Sequence, residues 1–201
     1  MIIAYKFRWK NFWIGFSLKT WFNFKKTAEV LGITDACFGS PFRRVLFLEF
    51  DHKLSYEQLI CELKGVQKEF KLSNLYILRS SKNPDGDSYH VYCCCKLTSK
   101  EINNIVDRTS SDEMFKNVAL FDYVPKVLRI SKKGNKDIPE YIGVLKAKGS
   151  REKSFAHLQF LLQFFKIPKE DMDFTNNDEH KLKDKDQILQ TISYPTQHNV
   201  I

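Results

Sequence analysis

The sequence has no long hydrophobic run. Its 201 residues contain no stretch of about 18 uncharged apolar residues, so it predicts no membrane-spanning helix and no membrane association. The apolar N-terminus is interrupted by Lys6, Arg8 and Lys10 and lacks a small-residue cleavage site, so we do not expect a signal peptide. A glycine-rich phosphate-binding loop is also missing, which argues against an ATPase of the P-loop kind.

Paired cysteines are missing as well. The sequence has five cysteines, an odd number, and Cys93, Cys94 and Cys95 are contiguous. A disulfide framework would space its cysteines apart, and a zinc site would show Cys-x-x-Cys pairs. We therefore expect no zinc, reduced cysteines that act as small apolar strand residues, and a reducing compartment, the cytoplasm.

Aromatic residues and positive charge are abundant. With 43% hydrophobic and 14% aromatic residues, the chain can bury a substantial core. The net charge is +8, and the excess lies in two segments: residues 1–54 hold nine Lys and Arg against four acids, and residues 123–166 hold ten against three. The middle is nearly neutral. This distribution suits a phosphate-bearing partner that lies across both ends of the core.

The order of periodic segments predicts an α+β fold. A buried strand over 43–51 is followed by a capping-box helix, two strands joined by a turn rich in Asn, Pro, Asp and Gly, and a second capping-box helix. We expect further strands near 117–122 and 126–132, and then an amphipathic helix over 155–165. This is the β-α-β-β-α-β order of RNA-recognition-motif-like or ferredoxin-like folds, which carry their helices on one sheet face. The other face is expected to be open.

Alternation along the strands sends polar side chains to the open face. In the first strand Glu49 and Asp51 lie on that side, and in the third strand Ser88 and His90 do. Two carboxylates on one face repel each other unless a cation lies between them, and hard oxygen ligands suit Mg²⁺ or Mn²⁺. Asp122, near the end of the core, could complete a two-metal site of the kind used for phosphoryl and nucleotidyl transfer.

Basic residues follow the last predicted strand of the core. Arg129 shares the open face by alternation, and Lys132 and Lys133 come directly after it. These cations could neutralise a triphosphate, and the Ser88 and His90 side chains can hydrogen-bond to phosphate oxygens.

Together these residues resemble the archaeo-eukaryotic primase superfamily, whose catalytic core contains an RNA-recognition-motif-like unit. Its first motif, a hydrophobic strand ending in acid-x-acid, is matched by VLFLEFD, and its second, Ser-x-His, by SYH within RSSKNPDGDSYHVY. The third, a hydrophobic residue before an acid, is matched by ALFD, and VLRISKK is similar to the arginine-containing strand beyond it. The match covers roughly residues 43–135, and Glu49 stands where many members have Asp.

The resemblance implies a metal-dependent DNA primase or DNA polymerase that synthesises or extends primers on a single-stranded DNA template. The implied metal ligands, for two Mg²⁺ or Mn²⁺ ions, are Glu49, Asp51 and Asp122. The implied contacts to the phosphates of the nucleoside triphosphate are Ser88, His90, Arg129, Lys132 and Lys133. Such a small module would be encoded by a virus, plasmid or other mobile element, work in the host cytoplasm and act with a separately encoded helicase. We expect an aromatic and basic extension over 1–42 that packs on the core, a catalytic domain over 43–166 and a flexible acidic tail over 167–201.

Two other functions share this topology. Rolling-circle replication initiators carry a His-hydrophobic-His metal motif and a nucleophilic tyrosine. Here His90-Val91-Tyr92 lacks the second histidine, although Tyr123-x-x-Lys126 has the form of their tyrosine motif. A non-catalytic RNA-recognition-motif-like module would stack bases on exposed aromatics such as Phe47 and Tyr92, but its Gly-Phe/Tyr-Gly/Ala-Phe run is absent.

Overall fold

The structure is a computed structural model that describes most of the chain between residues 32 and 174. The described residues are 2–9, 12–19, 32–37, 40, 42–51, 54–82, 86–112, 116, 126–133, 136–147 and 151–174, with only the backbone described for 2–9 and 12–19. Their architecture is α+β, as predicted. None of the helices in these ranges combines the length and the apolar character needed to cross a membrane.

Eight strands and three α-helices are formed by the described residues. The strands are β1 (Ile2–Trp9), β2 (Phe12–Lys19), β3 (Gly32–Thr34), β4 (Arg44–Phe50), β5 (Leu75–Ser81), β6 (Ser88–Leu97), β7 (Val127–Arg129) and β8 (Glu140–Leu145). The helices are α1 (Tyr56–Glu69), α2 (Ser99–Asp107) and α3 (Phe155–Phe164), and a short 3-10 turn spans Lys169–Asp171. Strands β1 and β2 pair as an antiparallel hairpin.

The centre of the fold is a four-stranded antiparallel sheet in the order β4-β6-β5-β8. Strands β4 and β5 each pair antiparallel with β6, so they run parallel to each other, and α1 connects them. The predicted order of strand, helix, two strands and helix is confirmed from β4 to α2.

The later strands differ from the prediction. The strand expected over 126–132 is only three residues long, and it pairs with β3 in a separate two-stranded sheet. After it, Lys133 and Lys136 form an isolated antiparallel bridge instead of continuing the strand. The fourth strand of the central sheet is instead β8, which pairs with β5 at the edge far from β4. The strand expected over 117–122 falls outside the described residues.

Two capping boxes begin α1 and α2, as their sequences predict. The Ser55 hydroxyl accepts a bond from the Gln58 N–H (3.2 Å), and the Gln58 side chain accepts one from the Ser55 N–H (2.9 Å). Thr98 and Glu101 exchange the same bonds at the start of α2, at 3.2 and 2.9 Å. Each pair satisfies two backbone donors that a helix start leaves unbonded, so both helix starts are fixed beside the sheet.

The sheet has a core on each face, which we call the helix-side core and the α3-side core. The helix-side core joins β4, β5 and β6 to α1 and α2, through residues that include Leu46, Leu48, Phe50, Leu59, Leu63, Tyr89, Val91, Cys93, Ile102 and Ile105. The α3-side core lies on the opposite face and includes Val45, Phe47, Tyr76, Leu78, Tyr92, Cys94, Leu128, Leu158, Leu161, Ile167 and Met172. Alternation therefore assigned the faces of β4 and β6 correctly.

The expected open face is wrong over the apolar part of the sheet. Helix α3 covers it with Leu158 and Leu161, and it brings His157 to 6.1 Å from Phe47 between ring centroids. The reason is that the strand residues on this face are also apolar, and full burial of each large side chain stabilises the fold by roughly 1.5–3 kcal/mol. The end of the face that carries Glu49 and Asp51 reaches solvent.

Both flanking segments contact the α3-side core. Cys37 and Ile33, from the predicted N-terminal extension, pack in it. Ile167 and Met172 are also buried there, so the core continues beyond the predicted domain end at residue 166. The remainder of the predicted acidic tail, residues 175–201, falls outside the described residues, and the expectation that it is flexible stays a prediction.

Candidate functional site

The acidic pair lies where β4 leaves the cover of α3. Phe47 is 1% exposed, whereas the side chain of Glu49 is 30% exposed and that of Asp51, just after the strand, is 37% exposed. The backbone here is fixed, because the Glu49 carbonyl oxygen accepts a 2.7 Å bond from the Asp112 N–H. The sequence alternation thus places two carboxylates side by side at a solvent-facing edge of the core.

His90 lies directly opposite Glu49 in the register of β4 and β6. Its Nε2 is 3.5 Å from Glu49 Oε1, and the imidazole is 1% exposed. Nδ1 of His90 is buried and has no hydrogen-bond partner among the described residues. The structure therefore brings together the acid-x-acid and Ser-x-His segments, and it leaves one imidazole nitrogen of His90 without a partner among the described residues.

Two further β6 side chains lie beside His90. Ser88 is buried, and its hydroxyl oxygen accepts a 3.1 Å bond from the Ser81 hydroxyl of β5. Tyr92 is 1% exposed, and its hydroxyl has no hydrogen-bond partner among the described residues. Burial raises the pKa of Tyr92, and the nearby Glu49 carboxylate raises it further, against the opposing effect of Arg129. The phenol is therefore protonated and able to donate at neutral pH.

Arg129 holds the segment after β7 against the sheet. Its guanidinium donates to the carbonyl oxygens of Ser131 (2.5 Å), Asp137 (2.5 Å) and Ser80. Burial lowers the pKa of Arg129, and the charges of Glu49 and Asp51 oppose that effect. Arg129 thus binds three backbone carbonyl groups, a structural role that the sequence did not predict. It also interacts electrostatically with both carboxylates. Two of its five N–H donors make no hydrogen bond within the described residues.

A basic residue that the sequence analysis missed contacts the acidic pair. Lys136 Nζ is 3.6 Å from Asp51 Oδ2. Lys136 reaches this position because its backbone exchanges two 3.0 Å hydrogen bonds with Lys133. The signal was present in the sequence, since Gly-Asn between two lysines is typical of a two-residue hairpin turn.

The other predicted site residues are more peripheral. Lys132 faces Asp137, with 3.8 Å between Nζ and Oδ1, and both side chains are largely exposed. Lys133 is exposed. Asp122 falls outside the described residues, so its predicted role as a third metal ligand stays a prediction. The structure thus gathers Glu49, Asp51, His90 and Arg129 and adds Lys136.

The described residues offer part of a metal shell. They contain no group of three or more His, Cys, Asp or Glu side chains arranged to hold a metal ion. Two carboxylates are nevertheless the donor set that Mg²⁺ commonly uses, because this ion keeps several waters and takes its other oxygens from substrate phosphates. Glu49 and Asp51 fit such a cation chemically, and a bound cation would replace the charge that Lys136 now supplies to Asp51.

The residues of the two alternative functions are placed differently. Phe47 and Tyr92 are each 1% exposed, so neither ring offers a surface on which a base can stack. Tyr123 falls outside the described residues. Lys126 is buried next to Asp35, whose carboxylate accepts a 3.0 Å bond from the Lys126 N–H, and burial lowers the pKa of Lys126 to about 8. The lysine of the Tyr-x-x-Lys pattern therefore has a buried setting beside Asp35.

No family model, no curated protein and no solved structure matches this chain.

Proposed function

We propose that the chain is a metal-dependent nucleotidyltransferase of the archaeo-eukaryotic primase type, which synthesises or extends primers on single-stranded DNA. In this proposal β4, α1, β5, β6 and α2 belong to the RNA-recognition-motif-like unit of that superfamily. The observation that carries it is the register of the sheet, which sets Glu49 directly opposite His90. Two short motifs some 40 residues apart in the sequence thereby meet at one end of the sheet, where Glu49 and Asp51 reach solvent and His90 is buried beside them.

Each residue of this edge has a role that its chemistry allows. Glu49 and Asp51 hold a divalent cation, together with Asp122 if the third motif also reaches the site. When bound, such a cation neutralises the developing charge on the phosphates and the leaving pyrophosphate. His90, Lys136 and the two remaining donors of Arg129 bind the triphosphate oxygens, because imidazole, ammonium and guanidinium groups form charge-assisted bonds with phosphate.

The test is incorporation of nucleotides on single-stranded DNA, with and without a primer, in Mg²⁺ and in Mn²⁺. The wild type is compared with Asp51→Asn, and Glu152→Gln serves as the matched control. Glu152 forms a similar exposed ion pair, 2.6 Å from Lys96 Nζ, but at the other end of β6. We expect incorporation to fall by at least about 100-fold in Asp51→Asn, because loss of a ligand charge removes several kcal/mol of transition-state stabilisation.

Both variants should fold, since exposed ion pairs contribute only about 0–1 kcal/mol. Equal incorporation by the wild type and Asp51→Asn contradicts the proposal. Absence of product on a primed template in either metal also contradicts it, and retained single-strand binding would then favour a non-catalytic binding module. A covalent 5′-phosphotyrosyl adduct would favour the rolling-circle alternative.

A further inference from the structure

Two buried tyrosines lie side by side under α3 and differ in one respect. Tyr76 of β5 and Tyr92 of β6 are direct partners in the sheet register, and each is 1% exposed. The Tyr76 hydroxyl accepts a 3.0 Å bond from the Asp173 N–H. The Tyr92 hydroxyl has no hydrogen-bond partner among the described residues. Both side chains are equally inaccessible to solvent, and they differ in the pairing of the hydroxyl.

An unpaired hydroxyl in the core does not serve the fold. Desolvation of a hydroxyl without a compensating hydrogen bond destabilises the folded state, and phenylalanine would fill the same volume without that cost. The ring of Tyr92, in contrast, is well used: its centroid is 4.9 Å from that of Phe47 and 6.1 Å from that of Phe165. Packing therefore explains the aromatic ring of Tyr92 and leaves its hydroxyl unexplained.

The register of β4 and β6 places Tyr92 opposite Phe47, so Glu49, two residues farther along β4, is a diagonal neighbour of Tyr92 on the same face of the sheet. Glu49 and Arg129 are the charged side chains that act on the phenol electrostatically. The Glu49 carboxylate is itself loosely held, because its contact with His90 Nε2 is 3.5 Å, longer than a usual hydrogen bond. A buried donor without a partner among the described residues thus lies on the same face as a carboxylate whose contact with His90 is 3.5 Å long.

We propose that Tyr92 is a positioning residue for Glu49, whose carboxylate accepts a hydrogen bond from the Tyr92 hydroxyl when Glu49 binds a divalent cation. This inference rests on the proposed function insofar as Glu49 is taken to be a metal ligand. Groups that orient a ligating carboxylate commonly change metal affinity by about 10–100-fold when they are removed. Tyr92 would supply such an interaction from the core, on a ring that neighbouring aromatics hold in place.

The experiment is a titration of the full chain with Mn²⁺ alone, in which free Mn²⁺ is followed by electron paramagnetic resonance and thermal unfolding is recorded in parallel. The variants are Tyr92→Phe and, as the matched control, Tyr76→Phe. We expect Tyr92→Phe to weaken Mn²⁺ binding by about 10-fold, with a metal-free melting temperature equal to or above that of the wild type. Tyr76→Phe should keep the Mn²⁺ affinity and lower the melting temperature by about 2–4 °C, because it leaves the Asp173 N–H without its partner.

Each other outcome has a definite meaning. Equal Mn²⁺ affinity in the wild type and Tyr92→Phe overturns the role of Tyr92 and leaves the proposed function standing. A loss of melting temperature in Tyr92→Phe as large as that in Tyr76→Phe also overturns it, because the hydroxyl would then serve the fold. If the wild type binds no Mn²⁺ at any concentration up to the millimolar range, both the inference and the metal site of the proposed function fail.

Discussion

The buried histidines at the two ends of the sheet face under α3 differ in their hydrogen bonding. At the end where α3 begins, His157 Nδ1 is 2.7 Å from the Ser154 hydroxyl and Nε2 is 2.9 Å from the Thr34 carbonyl oxygen. At the other end, His90 has no hydrogen-bond partner for Nδ1 among the described residues, and its Nε2 is 3.5 Å from Glu49. We call these the paired end and the site end. Tyr76 and Tyr92, which lie side by side rather than at opposite ends, also differ in that only the Tyr76 hydroxyl has a hydrogen-bond partner among the described residues.

The contrast separates side chains that hold the fold from side chains that are available for a ligand. A buried polar group without a partner costs about 1–3 kcal/mol, so a protein normally pairs such groups. The paired end follows that rule with His157, which joins α3 to the segment before β4. The site end departs from it beside Glu49 and Asp51, where a ligand could supply the missing partners. We infer that the hydrogen bonds of the paired end stabilise the folded state and that the unpaired groups of the site end destabilise it.

The largest expected effect is the loss of stability when α3 is loosened from the sheet. Leu158 is 1% exposed in the α3-side core, so Leu158→Ala should lower the free energy of unfolding by about 2–5 kcal/mol, measured by urea denaturation. Phe164→Ala on the same helix is the control, because Phe164 is 45% exposed, and its cost should stay below about 1 kcal/mol. Equal costs for the two variants would mean that α3 does not cover this face.

Alternation predicted much of the site, because successive side chains of β4 and β6 point to opposite faces of the sheet. This alternation separates Phe47 and Glu49 from Leu48, and His90 from Val91, without any knowledge of the partner strand. Two further sequence signals, the Asn-Pro-Asp-Gly run after β5 and the capping boxes, then predicted the order of the elements up to α2. Within these limits, local sequence patterns were sufficient to bring Glu49 and His90 to the same face.

What the sequence could not predict depends on long-range packing. The spacing of Leu158 and Leu161 predicts a helix with an apolar side, but not the surface that this side covers. Strand β8 was missed because it is a half-buried edge strand that contains Gly143, where a Cβ would lie 3.0 Å from the Tyr56 hydroxyl oxygen. The carbonyl contacts of Arg129 depend on the path of a later turn, which periodicity does not encode.

The next largest expected effect is a pH dependence of the free energy of unfolding that comes from Asp35, a carboxyl group at the paired end. Asp35 is 1% exposed, and burial raises its pKa to about 6 even though Arg44, the Lys126 N–H and the Lys126 charge act in the opposite direction. A carboxyl group whose folded-state pKa exceeds its ordinary value of 3.8 binds a proton more tightly when folded. Its contribution to stability therefore falls as the pH rises from about 4 to about 6, by up to about 3 kcal/mol.

The check is the free energy of unfolding of the wild type and Asp35→Asn at several pH values between 4 and 7. Asparagine keeps an acceptor for the Lys126 N–H, so the variant should fold and should lack this part of the pH dependence. The difference in stability between the two proteins isolates Asp35 from the other carboxyl groups. A difference that does not change with pH would show that Asp35 has the same pKa in the folded and unfolded chains. Burial of the Asp35 carboxylate would then not destabilise the folded state.

The smallest effect on stability should come from the ion pair at the site end. Lys136 and Asp51 are 42% and 37% exposed in their side chains, so Lys136→Ala should change the free energy of unfolding by less than about 1 kcal/mol, as should the control Lys96→Ala at the other end of β6. Because Lys136 and a divalent cation compete for the same carboxylate, Lys136→Ala should bind Mn²⁺ a few-fold more tightly, whereas Lys96→Ala should not differ from the wild type. Weaker Mn²⁺ binding in Lys136→Ala would reverse this interpretation, because Lys136 would then orient Asp51 for the metal. The residues of the site end would in that case hold the metal ligands in place themselves, despite the unpaired polar groups beside them.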